Sequence, residues 1–189
     1  MKKFVYLFAA LLVVSSLSLT SCKSKKKVKA PEGETEVIVP CSGEDYWSNG
    51  KVFRANAVGE SSDQAVSKKK AMSNARADLA SSIQTTIKGT IDNYVNSREF
   101  NNREEVQERF EGLTREVINQ QLNNVQTICE KQYTTAEKNY KTYIALEMTG
   151  EDLMNAMNSA LTKDERLRID YDYEKFKAEF EKEMDKLNK

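Results

Sequence analysis

The chain has 189 residues, 39% hydrophobic and 31% charged, with 29 basic against 29 acidic side chains, three cysteines and no histidine. These values fit one soluble domain with attachments; they exclude a multi-span membrane protein, a collagen-like or Pro-rich chain (two prolines) and a disulfide-dense miniprotein. The missing histidine excludes any chemistry that needs an imidazole from this chain.

Lys2 and Lys3 precede an unbroken apolar run, Phe4 to Val14, and a Ser-rich stretch that leads into Leu19-Thr20-Ser21-Cys22. The run is too short for a spanning helix of about 20 apolar residues and has the layout of a secretory signal peptide. Leu19 to Cys22 resembles the bacterial lipobox, in which the cysteine thiol takes a diacylglyceryl group and becomes the new N-terminus. The resemblance implies cleavage between Ser21 and Cys22, loss of residues 1–21 and lipidation of Cys22.

The zero net charge then divides into unlike parts. Residues 23–29 hold five lysines and no acid, and from Ala30 onward 22 basic residues face 29 acidic ones, a net charge of −7. A lysine-rich leash thus precedes an acidic domain. Beside a lipidated Cys22 the lysines either attract anionic headgroups or form a solvated spacer. Lys23 is not the Asp that resembles an inner-membrane retention signal, and the lysines contradict an acidic surface-export signal. The expectation is the periplasmic leaflet of the outer membrane.

Residues 22–50 read as a lipidated linker that contains Pro31, Pro40, Gly33, Gly43 and Gly50. Glu36-Val37-Ile38-Val39 is either an edge strand or an extended arm. Val52 to Gly59 reads as a strand, with Phe53, Ala55, Ala57 and Gly59 on one face, small enough for a helix to pack closely. Ser61-Ser62-Asp63 offers caps for a long helix. Met72, Ala75, Leu79, Ile83, Ile87, Ile91 and Tyr94 form its buried stripe, with Ala71 and Ala80 beside them, and Gly89 marks a kink.

A second helix starts at Asn101 or Asn102, with Glu104 and Glu105 in its first turn, and turns Val106, Phe110, Leu113, Val117, Ile118 and Leu122 inward. Strands Val125–Tyr133 and Tyr140–Met148 form a hairpin with a six-residue loop, and Thr142, Ile144, Leu146 and Met148 alternate with outward residues. Thr149 caps an amphipathic helix bearing Leu153, Met154, Met157 and Leu161. From Lys163 to Lys189 a charged helix keeps a narrow stripe of Leu167, Tyr171, Phe176, Phe180, Met184 and Leu187. That helix either docks at the edge of the domain or pairs with another chain. The expectation is a two-layer α+β fold: a three-stranded antiparallel sheet packed by long helices in residues 51–161, with residues 162–189 as a separate charged C-terminal helix.

Ala57-Val58-Gly59 at a strand end, the run Ala71-Met72-Ser73-Asn74-Ala75-Arg76-Ala77-Asp78-Leu79-Ala80 with Ile83 and Ile87, and the strand Tyr143-Ile144-Ala145-Leu146-Glu147 together resemble the LPP-twenty lipoprotein family over roughly Trp47 to Leu161. The resemblance implies a membrane-associated lipoprotein, similar in fold to the N-terminal domain of a flagellar T-ring protein, and it brings no catalytic residues. Asn56 and the charged extension from Lys163 depart from the family pattern.

Without histidine, a Ser-His-Asp triad, a Cys-His pair and His-containing zinc sites are closed to this chain. Cys41 and Cys129 are even in number in an exported chain and read as a disulfide, the alternative being two unpaired buried thiols. Glu44-Asp45 and Asp170, Asp172 and Glu174 are the acidic clusters. The second lacks the glycine of an EF-hand loop and reads as a solvated helix face. Tyr46 and Trp47 either line a ligand groove or seal the end of the sheet.

The sequence therefore predicts no catalytic residue, no cofactor, no metal site, no nucleic-acid partner and no small-molecule substrate. It points to a lipid-anchored binding or scaffold module of the cell envelope. Its partners are the membrane, through lipid at Cys22, and an envelope protein. The alternative is a carboxylate-based hydrolase acting on envelope glycans, and a third class, a carrier of a small apolar molecule, needs a cavity between sheet and helices.

Overall fold

The computed structural model describes residues 31–99, 102–169 and 171–188. The chain divides into two compact units, Met1–Val37 and Ile38–Lys189. In the first, Glu34 N donates to Pro31 O at 3.0 Å to close a turn.

In the second, Glu44–Tyr46 is a short 3-10 turn, followed by β1 (Val52–Ser61), α1 (Gln64–Asn96), α2 (Arg103–Gln121), β2 (Gln126–Thr134), β3 (Tyr140–Thr149), α3 (Gly150–Lys163), a 3-10 turn at Leu167–Ile169 and α4 (Tyr173–Asp185). The fold is α+β, with a three-stranded antiparallel sheet in the order β1-β3-β2 packed against α1. β3 is central, so its inward residues Thr142, Ile144, Leu146 and Met148 are all buried, while β2 at the edge is exposed along nearly its whole length.

Helix α1 begins where the Asp63 carboxylate accepts from Val66 N at 2.9 Å, which satisfies one of the orphan donors of the first turn. Its first turns lie very close to β1. A Cβ placed on Gly59 would stand 2.4 Å from Ala71 N and from Ser67 O, so only glycine fits there. The close approach brings the buried Ser67 hydroxyl within 3.0 Å of Gly59 O, to which it donates, and 2.7 Å of Thr142 Oγ1. Further along, Leu79, Ile83 and Ile87 are fully buried with Phe53, Ile144 and Leu146. Removing each such side chain from water contributes about 1.5–3 kcal/mol.

Several expectations are corrected by the coordinates. Of the two readings of Glu36–Val39, the arm holds, since the segment pairs with no described strand. Helix α1 runs unbroken through Gly89, where a Cβ would meet the end of the Glu183 side chain, Oε2 at 2.8 Å. Of the two proposed caps of α2, Asn101 lies outside the described residues and Asn102 is the N-cap. Its side chain bonds the Glu105 carboxylate instead of a backbone N–H. Thr134 pairs with Tyr140, so the hairpin loop has five residues, 135–139.

The continuous helix from Lys163 is in fact two pieces. Asp164 ends α3 and its Oδ1 accepts from Arg166 N and Leu167 N, at 3.1 and 3.0 Å, and Asp172 starts α4 by accepting from Lys175 N. Side chains that capture backbone N–H groups in this way stop one helix and open the next. Nor is residue 161 a structural boundary. Leu167, Phe176, Phe180 and Met184 are buried in the same core as α1 and the sheet, so the C-terminal segment belongs to the domain and presents no free apolar stripe.

Candidate functional site

Because all the helices that touch the sheet pack on one side of it, the opposite face is where the chain has surface to use. Register places Arg54, Asn56 and Val58 of β1, Tyr143, Ala145 and Glu147 of β3, and Cys129, Lys131 and Tyr133 of β2 on this outer face. A β-bulge at Ile128 brings Cys129 opposite Ala145. Cys129 there forms a disulfide with Cys41, with Cα atoms 5.6 Å apart. Cys41 has φ +56°, a left-handed conformation that costs a non-glycine residue free energy and that the covalent tie maintains. Ala145 is fully buried although it points away from α1, because the tied segment crosses it. The bridge closes a loop of 88 residues, worth about 4–5 kcal/mol in the loop-entropy account.

From Cys41 the chain crosses to the free edge of β1. There Ser48 Oγ accepts from Arg54 N at 2.8 Å and donates to Arg54 O at 3.1 Å, occupying hydrogen-bonding groups that a fourth strand would otherwise take. The Arg54 guanidinium binds the Glu147 carboxylate at 2.6–2.7 Å and donates to Trp47 O at 3.2 Å. Trp47 therefore sits beside the edge of β1, 43% exposed and outside the core, and does not seal the end of the sheet. On the same face Val58 and Tyr133 are exposed, and Tyr133 meets Tyr143 edge to face at 5.9 Å.

On the helical side a groove of about 730 Å³ runs between α2 and α3, lined by Arg109, Glu116, Gln120, Ser159 and Lys163. Its built feature is the buried Asp164 carboxylate, which Arg109 binds at 2.7 Å. Burial raises the Asp164 pKa, but the N–H bonds from Leu167 and Arg166 and the Arg109 guanidinium outweigh it and hold the group below the ordinary aspartate value. A crevice of about 470 Å³ beside the start of α3 is lined by Val52, Met154, Tyr173, Phe180 and Met184. Tyr94, Phe110, Tyr171 and Phe176 form an aromatic cluster where α1, α2 and α4 meet. Burial pushes the Tyr171 phenol above its ordinary value, with smaller contributions from Tyr94, Tyr173 and Asp172.

Ser21, Cys22 and the lysines of 23–29 lie outside the described residues, as does Asp170. Glu44 and Asp45 are exposed in the 3-10 turn. Asp172 and Glu174 are the N-cap and first-turn acid of α4, which is a helix-starting arrangement and not the mid-helix face expected of them. Among the described residues no group of three or more His, Cys, Asp or Glu side chains is placed to hold a metal ion. Sequence reasoning missed the two buried acids. Asp164 carries no spacing signal, whereas Glu183 falls in the stripe Phe176, Phe180, Met184 and could have been noticed as an acid on a buried face; Asn93 Nδ2 donates to it at 2.7 Å.

Among the described residues no helix is long and apolar enough to cross a membrane. The chain matches no protein-family model, and neither a curated protein nor a solved structure matches it.

Proposed function

We propose that this chain is a lipid-anchored lipoprotein of the bacterial cell envelope, held by lipid on Cys22 at the periplasmic leaflet of the outer membrane and acting as a non-enzymatic binding or scaffold module for an envelope protein. The observation that carries the reading is the Cys41–Cys129 disulfide, which begins nineteen residues after the lipobox cysteine. Structural disulfides persist in oxidising compartments, and a signal peptide ending in a lipobox leads to one. The resemblance to the LPP-twenty lipoproteins in the strand, the Ala-rich helix and the hairpin supports the same reading.

Growth with an alkyne-tagged palmitate tests it. The protein is expected to take up the tag, to lose it completely in Cys22→Ala, and to resist protease added to intact cells. An untagged wild type overturns the lipid anchor, and digestion on intact cells overturns the periplasmic orientation.

A further inference from the structure

The two edges of the sheet are finished differently. In β1 the residues whose N–H and C=O groups point away from β3 are Val52, Arg54, Asn56, Val58 and Glu60, since Arg54 gives both of its groups to Ser48 and the direction alternates along the strand. Four of these five residues have partners. Besides Ser48 on Arg54, the Asn49 side chain accepts from Val52 N at 3.2 Å and Asn49 N donates to Val52 O at 3.0 Å, while Asn74 Nδ2 donates to Val58 O at 3.2 Å and Lys70 Nζ to Glu60 O at 3.1 Å. The same alternation, carried across β3, turns the N–H and C=O groups of Glu130, Gln132 and Thr134 out of the free edge of β2. Among the described residues no side chain bonds them.

We propose that this open edge takes the segment Glu34–Val39 of a second copy as a further strand, and that the exchange is reciprocal and closes a two-fold dimer. A row of outward N–H and C=O groups is matched by another backbone in extended form. The chain carries a segment suited to that role. Thr35, Val37, Ile38 and Val39 are β-branched, the segment pairs with no described strand, and Val37 and Ile38 are 80% and 85% exposed. As a strand it would hold Glu34 and Glu36 on one side and Thr35, Val37 and Val39 on the other.

Charge selects this occupant. Lys131 stands on the outer face of β2, and the start of α1 leans over the inner side of the same strand, where Lys68 Nζ binds Glu130 at 2.9 Å and Gln64 Nε2 donates to Gln132 at 2.7 Å. Beside Lys68 a shallow hollow of about 470 Å³ is lined by Met72, Lys69 and Arg76. From Gln64 to Asn96 five basic residues face two acidic ones, and Lys69, Arg76 and Lys131 have no acidic partner among the described residues. A second β2 laid on this edge would add its own Lys131, whereas the arm brings Glu34 and Glu36. Position permits the exchange as well. Cys41, two residues beyond Val39, is bonded to Cys129 of β2, so each copy holds the root of its arm at the strand whose edge is open. Two copies that meet at this edge bring each arm to the other's β2, an isologous contact that closes on itself. The inference does not depend on lipid at Cys22.

The test uses the full chain expressed in cells, with photoreactive benzoylphenylalanine in place of Val37. Irradiation is expected to give a product of twice the monomer mass, with the linkage between Glu130 and Thr134 by mass spectrometry. Gln132→Pro removes one outward N–H and leaves the bonds to β3 in place, so it should abolish the product without moving the thermal midpoint. Lys131→Glu should lower the yield about fivefold, and adding Glu34→Lys with Glu36→Lys should restore it. A link to β2 at monomer mass would mean that the arm closes its own edge and overturns the second copy as occupant. A product with no link to β2, or an undiminished yield in Gln132→Pro, overturns the pairing. Should Gln132→Pro lower the midpoint, the charge exchange decides alone: a yield that Lys131→Glu leaves unchanged, or that the added lysines fail to restore, overturns the proposal.

Discussion

Asp164 illustrates how one side chain can organise the path of a chain. Its carboxylate receives Arg166 N, Leu167 N and the Arg109 guanidinium, so it stops α3, shapes the turn that follows and ties that turn to α2. The carboxylate is almost completely buried, while Arg109 is 57% exposed, so its loss strands backbone donors rather than a buried guanidinium. Asp164→Ala is expected to cost about 2 kcal/mol near neutral pH, the sum of a lost cap and a lost charge-assisted bond. The pH dependence follows from the direction of the shift. A carboxyl whose folded pKa is depressed contributes its stability above the unfolded value of about 3.9 and loses it as pH falls through the folded value. Denaturant melts near neutral pH, and again about one unit or more below that unfolded value, should show the gap between wild type and variant closing. A gap of constant size would mean that the carboxylate charge is not what stabilises the turn.

At the scale of elements, β1 and α1 are held together by an absence. The 2.4 Å that a Cβ on Gly59 would leave to the backbone of α1 cannot be relieved by a rotamer change, so the helix must move away from the strand. Gly59→Ala is expected to cost about 3 kcal/mol, at the upper end for overpacking, and to lower the thermal midpoint accordingly. Gly112 on α2 has nothing within 4 Å of its missing Cβ, so Gly112→Ala should instead add about 0.5–1 kcal/mol through helix propensity and unfolded-state entropy. Opposite signs in thermal melts check the pair; an unchanged or raised midpoint in Gly59→Ala would show that α1 can move off the strand without cost. The stripe of α1, the alternation in β3 and the caps Asp63 and Thr149 could be read from the sequence because each is written in periodicity or in a residue type at a fixed offset. What Gly89 faces could not, because its neighbour Glu183 is ninety-four residues away in sequence. The same holds for the outer face. Cys41 and Cys129 stand out by their number, but which face they tie depends on the bulge at Ile128, which alternation does not announce.

For the molecule as a whole, the question is where the domain ends. Charge made residues 162–189 look like an appendage, since eight basic and nine acidic side chains dominate the composition there and the apolar positions are few. Those few carry the weight: Phe176 is fully buried, stacks on Phe110 at 6.0 Å and meets Tyr94 edge to face at 5.4 Å, while Tyr94 OH accepts from Asp172 N at 2.8 Å. The same segment supplies Phe180 and Met184 beside the start of α3, and Glu183 to Asn93 of α1. Phe176→Ala is expected to cost about 3–5 kcal/mol by cavity formation alone. A chain ending at Lys163 loses that residue together with Leu167, Phe180 and Met184, together about 10–20 kcal/mol with the cavities counted, as much as the 5–15 kcal/mol that stabilises an ordinary domain. Such a truncation should therefore abolish the cooperative unfolding transition, with amide exchange in α1 becoming fast up to Tyr94. A truncated chain that still melts cooperatively near the wild-type midpoint would show that α4 is a detachable element after all, and would return its apolar stripe to the surfaces open to a partner.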